Sequence, residues 1–175
     1  MTRLSMGHGE ASNRPSTVLY ARCDRGYTRS APDAPRLCST MTNLRICIDV
    51  DDLDKGINFY SKAIGLRVGR RLGGDWVELL GGSSPIDLLA NRVGTLPVRG
   101  SSMARDYRRH WTPVHLDFVV VDLDAAVERA EEAGALLEGG IQQKRWGRLA
   151  NLADPFGNGF CFLEFQGRGY DELIG

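Results

Sequence analysis

The chain has no excess of either charge: 22 Lys and Arg stand against 22 Asp and Glu in 175 residues. That balance excludes the basic footprint of a general nucleic-acid binder. No apolar run approaches the roughly 20 residues of a membrane-spanning helix. Cys23, Cys38, Cys47 and Cys161 form no CxxC pair and no other zinc spacing. There is no GxGxxG or GxxxxGKS phosphate loop, and no serine sits in a nucleophile-elbow context. With 42% hydrophobic residues, the composition is that of an ordinary globular protein. A cytoplasmic protein with reduced thiols is expected.

Residues 1–40 also lack something, namely apolar periodicity. Pro15, Pro32 and Pro35 lie among Ser, Arg and Gly, and six arginines face three acids. Such a stretch cannot bury a face of its own. It is expected to be a disordered leader, or an extension from an upstream start with Met41 as the natural one. The folded domain is expected over 41–175.

What is present is a repeat. Leu44, Ile46, Ile48 and Val50 alternate with Arg45, Cys47 and Asp49, the period of a half-buried strand. Asp51 or Asp52 caps a helix over Leu53–Ala63, with Leu53, Ile57, Tyr60 and Ile64 at helical spacing and Gly65 as its stop. Strands are expected at Leu66–Leu72, Trp76–Leu80 and Pro85–Ala90. Seventy positions later the same order returns. Val114, Leu116, Phe118 and Val120 alternate with His115, Asp117 and Val119, and Asp122 caps a helix over Leu123–Ala133. Strands follow near Leu136–Gln142, Arg148–Leu152 and Gly159–Phe165. Two strand–helix–three-strand modules are therefore expected, at 42–90 and 112–166, joined by a Gly-, Ser- and Arg-rich linker over 91–111.

The most specific pieces of this repeat are Val-Asp-Asp-Leu-Asp at 50–54, His-Leu-Asp-Phe-Val-Val-Val-Asp-Leu-Asp-Ala-Ala at 115–126 and Asp-Pro-Phe-Gly-Asn at 154–158. In that order they resemble the vicinal oxygen chelate superfamily, which includes glyoxalases, bleomycin-resistance proteins and extradiol dioxygenases. The resemblance implies an α+β fold in which two βαβββ modules pair into an open, barrel-like sheet around a central cleft. It also implies a small-molecule ligand and, commonly, a homodimer. Neither nucleic acid nor a membrane is an expected partner.

Metal-dependent members draw ligands from the first and last strands of each module. Carried over, those positions are Arg45, Asp87, His115 and Cys161. His115 and Asp87 are good donors and Cys161 is a soft one, but a guanidinium has no lone pair to give. The departures lead us to expect no cofactor and no tightly held metal. A divalent ion on His115, Asp87 and Cys161 is the alternative, and would serve a lyase, isomerase or dioxygenase. Without metal, His115 and Asp117 are the candidates for acid–base work. Arg45, Asp87, Trp111, Trp146 and Cys161 are the candidates for ligand contact. Arg45 would bind an anionic group or satisfy Asp87 or Asp117, and Trp146 would cap the cleft near Cys161. The cluster from Arg105 to Trp111 would pack its aromatics over the cleft rim or against a partner.

Overall fold

A computed structural model describes residues 43–174. The expectation for residues 1–40 lies outside the described residues. The first module runs β1 (Ile46–Val50), α1 (Leu53–Ala63), β2 (Arg67–Leu72), β3 (Trp76–Leu80) and β4 (Ile86–Ala90). The second runs β5 (Leu116–Val119), α2 (Leu123–Glu132), β6 (Leu136–Lys144), β7 (Gly147–Ala153) and β8 (Gly159–Phe165). A short 3-10 turn over Gly169–Leu173 follows.

Each module builds one four-stranded mixed sheet, ordered β1-β4-β3-β2 and β5-β8-β7-β6. The registers show the repeat directly. Cys47 pairs with Asp87 and Asp117 with Cys161, each across a parallel pair of first and last strands. No strand pairing joins the two sheets among the described residues, so the barrel-like surface is open and divided.

Both helices start where the sequence places them. Asp52 and Asp122 stand in extended backbone, and their side chains accept hydrogen bonds from the Lys55 and Ala125 amides three residues on. In α2 the buried stripe is Leu123, Ala126, Val127 and Ala130, as the spacing predicts. In α1 it is Gly56, Phe59, Tyr60 and Ala63, a stripe rotated from the predicted one. The cause is a second neighbour. Phe59 meets Phe160 of β8 edge-on, with ring centroids 6.2 Å apart, and α1 therefore packs on the other module as well as its own sheet.

A polar clamp reinforces this joint. Tyr60 Oη donates to Asp154 Oδ2 at 2.7 Å, and the same carboxylate accepts from the Phe156 and Asn158 amides, both at 2.8 Å. Asp154 thus organises the 154–158 turn and ties it to α1. At Gly157 the backbone is left-handed (φ 84°), and a Cβ there would stand 2.4 Å from the Arg108 carbonyl oxygen. Only glycine lets the inter-module segment lie this close to the turn.

One core therefore serves both modules, with Val50, Leu79 and Leu88 from the first in the same cluster as Leu152, Phe156 and Phe162 from the second. Phe59→Ala should cost about 3–5 kcal/mol. Denaturant unfolding followed by tryptophan fluorescence and by circular dichroism should give one coincident transition in both proteins. Two separated transitions would show that the modules have independent cores.

Candidate functional site

In β1 and β5 the even-numbered residues point toward the helices: Ile46, Ile48 and Phe118 pack against the core. The odd-numbered ones lie on the opposite, open face. Arg45 and His115 stand immediately before their strands at equivalent positions on these open faces. What surrounds them differs.

Arg45 is locked. Its Nε donates to Asp87 Oδ2 at 2.9 Å and its Nη2 to Asp87 Oδ1 at 2.7 Å, a two-pronged pair, and Nη2 also reaches Glu78 Oε1 at 2.9 Å. Arg70 grips Glu78 from the other side with bonds of 2.8 and 2.6 Å, and Trp76 Nε1 donates to Asp87 at 3.1 Å. Both carboxylates are buried. Two acids and two guanidinium groups thus close a neutral network across β1, β4, β3 and β2. The hydrogen bonds from Arg70 and then Arg45 hold the Glu78 carboxyl down at about 2. Asp87 is held below the usual carboxylate range first by the bond from Arg45 and then by that from Trp76, against the opposing effect of its burial.

His115 faces a different set. Its Nε2 lies 3.2 Å from Asp117 Oδ1, and both side chains are exposed by about two-fifths, at 40% and 42%. One nitrogen, oxygen or sulfur donor from each of His115, Asp117 and Cys161 falls within 4.8 Å of the other two. Cys161 is buried and donates to Asn151 Oδ1 at 3.3 Å. Burial, then the nearby Asp117 charge, pushes its thiol up to about 12, so at neutral pH it is not a thiolate nucleophile. Glu164 lies on the helix side of β8, where it accepts from the Leu123 amide at 2.7 Å.

Trp111 lies across Gly159. A Cβ on that glycine would stand 2.5 Å from the indole, so the bare backbone is what lets the ring settle against the sheet. There it meets His115 edge-on at 5.6 Å and donates to Glu138 at 3.1 Å, with the Arg109 guanidinium 4.7 Å from the ring centre. Trp146 sits elsewhere: it packs on Phe165 and Tyr170 at the far end of β8 rather than on Cys161.

Two cavities are lined by residues of both modules. One, of 320 Å³, is lined by Cys47, Asp49 and His115 from the strands and by Arg105, Tyr107 and His110 from the inter-module segment. The other, of 510 Å³, lies between Ile64, Gly81–Ser84 and Ile86 on one side and Asp117–Val120 on the other. Of the residues singled out from the sequence, His115 lines the first cavity and Asp117 the second; Arg45, Asp87, Cys161 and Trp146 line neither. The sequence reading missed Glu78, Arg70 and Asn151. Their signal was the strand register, which aligns Glu78 with Asp87 and Asn151 with Cys161.

The inter-module linker is tied to the first module by side-chain hydrogen bonds. Arg105 Nε donates to Asp49 at 2.6 Å, Asn91 holds the other Asp49 oxygen at 2.7 Å, and Tyr107 Oη donates to the Asn91 carbonyl at 2.7 Å. Burial, with the Asp49 charge adding to it, pushes the Tyr107 phenol up to about 12, so it stays a neutral donor.

The four positions that the resemblance assigns to a divalent metal do not fit a shared centre. Arg45 offers no donor atom, and both oxygens of Asp87 are occupied by Arg45 and Trp76. Among the described residues, the donor side chains that cluster are His115, Asp117 and Cys161, all in the second module. Among the described residues no helix is long and apolar enough to cross a membrane.

A family profile described as a glyoxalase-like domain matches residues 45–163. The anthracycline biosynthesis protein DnrV of Streptomyces peucetius is 36% identical over 86 residues, covering 47% of this chain but only 30% of that protein. This chain thus spans less than a third of that relative. Among solved structures, a glyoxalase-related enzyme from Fulvimarina pelagi superposes with TM-score 0.56 at 18% identity, covering 71% of this chain and 88% of that one. The antibiotic-binding protein TnmS3 from Streptomyces sp. CB03234 gives 0.51 at 22% identity, covering 73% and 98%. Both structural likenesses concern the fold.

The Arg45 network predicts an acid-side stability loss. Glu78 and Asp87 have folded pKa values below their unfolded ones, so their contribution is complete above the unfolded values and is lost as pH falls through the folded ones. Melting temperature should therefore fall as pH drops from about 4.5 toward 2. Arg45→Met should lower it by several degrees at pH 7 and flatten this acid limb. Part of the limb survives in the variant, because Arg70 still holds Glu78. An unchanged acid limb in Arg45→Met would contradict the assignment.

Proposed function

The chain belongs to the glyoxalase-like family, and on that premise we propose that it binds a small molecule in the cleft between its modules, without a tightly held metal. The observation that carries the reading is Arg45. At the position where a metal-dependent member supplies a ligand, a guanidinium satisfies Asp87 and Glu78. The reading of a lyase, isomerase or dioxygenase working through His115 and Asp87 loses its carboxylate, because Asp87 is already spent on that pair.

Of the two ligand classes suggested by the sequence, the aromatic one is favoured. An anion would have to compete with buried carboxylates for Arg45, and Arg105 is likewise matched by Asp49. The first cavity is instead edged by Tyr107, His110 and His115 beside apolar Ile46, Ile48 and Leu116. Its 320 Å³ falls at the lower end of small-molecule sites, about 300–1,000 Å³. A relative named for anthracycline biosynthesis supports the same choice. Anthracyclines are planar polycyclic quinones. His115, which lines this cavity, supplies a ring nitrogen to a quinone or phenol oxygen. The reading includes a homodimer.

The test is titration of the chelator-treated full chain with an anthraquinone probe, followed by tryptophan fluorescence. Saturable quenching at one site per chain is expected. Cys47 is exposed and borders the cavity, so Cys47→Trp should fill it without unfolding the protein. Affinity should drop at least tenfold, about 1.4 kcal/mol. Quenching that appears only after a divalent metal is added, or that ignores Cys47→Trp, would overturn the proposal.

A further inference from the structure

We infer that the 510 Å³ cavity is a second ligand site, taking a small monocarboxylate with an apolar body. It lies on the helix side of the molecule, lined by Ala63 and Ile64 at the end of α1 and by Arg129 of α2. It shares no lining residue with the 320 Å³ cavity and does not depend on the small-molecule reading given there.

Three observations carry it. First, the walls are apolar. Leu66, Ile86 and Phe162 are buried members of the shared core, and Ile64, Phe118 and Val120 pack against it. An apolar ligand body would extend that core and leave water as it did so. Second, glycines keep the space open. Gly65 turns the chain away from α1 in left-handed backbone (φ 81°), and the β3–β4 turn presents Gly81 and Gly82 to the cavity. A Cβ on Gly81 or Gly82 would come within 3.5 or 4.0 Å of Leu66 Cδ2, so larger residues here would take up the hollow. Third, a cation stands at the wall without an acid. Arg129, in the last turn of α2, has no ion pair or side-chain hydrogen bond among the described residues. Arg45, Arg70, Arg105 and Arg109, by contrast, are each matched by a carboxylate.

Together these features select the ligand class. A guanidinium fork meets a carboxylate with two parallel hydrogen bonds. The Ser83 and Ser84 hydroxyls, also on the lining, add donors for the same head group. Arg129 is the one basic residue of the lining, which matches a monoanion and leaves a phosphate dianion undercompensated. Asp117 is the one acid there, and its Oδ1 is already 3.2 Å from His115 Nε2. The volume lies well within the range of small-molecule sites, about 300–1,000 Å³.

Octanoate is the probe, titrated calorimetrically into the full chain, with 1-octanol as its uncharged counterpart. One octanoate per chain is expected, bound at least about tenfold more tightly than octanol, the worth of a charge-assisted hydrogen bond. Arg129→Met should erase that preference and leave octanol binding unchanged, whereas Arg129→Lys should keep most of it. Arg129 is exposed, so both variants should fold, and melting temperatures check this. Gly82→Trp should abolish binding of either probe, since a side chain there begins in ordinary contact with the protein and fills the hollow. Octanoate binding should persist in Cys47→Trp and under saturating anthraquinone, so either proposal can fail alone. No octanoate binding by the wild-type chain, equal affinity for the two probes, or a preference that survives Arg129→Met would overturn the inference. So would a dimer that dissociates in Gly82→Trp while the wild type binds no octanoate, which would assign the hollow to a second copy of the chain.

Discussion

The guanidinium of Arg45, forked onto Asp87 and shared with Glu78, is the contact on which the open face of the first module depends. Two buried carboxylates side by side on adjacent strands would repel each other and be costly to desolvate. Arg45 and Arg70 remove that cost by bracketing them, with Trp76 supplying a further donor. An arginine suits this role better than a lysine, because its planar fork meets one carboxylate with two parallel bonds and still reaches a second. The chemical result is a wall of four paired charges with no free donor for a metal. Packing and function meet at one residue.

The repeat makes the contrast between the modules interpretable. Cys47, Asp87 and Glu78 occupy one row of the first sheet, and Asp117, Cys161 and Asn151 occupy the matching row of the second. One backbone plan therefore presents a closed ionic network in one half and loosely held donors in the other. The helices and the shared core beneath are nearly indifferent to this difference, because the alternating residues that pack against them are apolar in both halves. The segment from Arg105 to Trp111 then touches both modules. It fixes Asp49 on one side and lays an indole beside His115 on the other.

Much of this was legible in the sequence because it depends on local rules. Strand alternation, the two aspartate caps and glycine stops are properties of short segments, and they located both helices and all eight strands to within a few residues. The equivalence of Arg45 and His115 followed from the repeat. What could not be read was anything decided by register or by packing between modules. Arg45 was matched to Asp87 or Asp117, yet Glu78 and Arg70 entered only once β3 and β2 were aligned beside β4. The stripe of α1 was rotated because Phe59 has a partner in β8, about a hundred residues away in the chain. Trp146 was placed near Cys161 by its position at a strand junction, whereas Phe165 and Tyr170 claim it at the other end of β8.

The central claim is that Arg45 stands where a family metal ligand would and converts that half of the cleft to an ion-paired wall. Manganese stoichiometry in the wild-type chain and in Arg45→His tests it most directly, since manganese prefers the nitrogen and oxygen donors that the substitution restores and has little affinity for a buried thiol. The account predicts no stoichiometric manganese in the wild type and near-stoichiometric uptake in Arg45→His, where histidine and a freed Asp87 become available. Stoichiometric manganese already bound by the wild-type chain, and lost in His115→Ala, would contradict it.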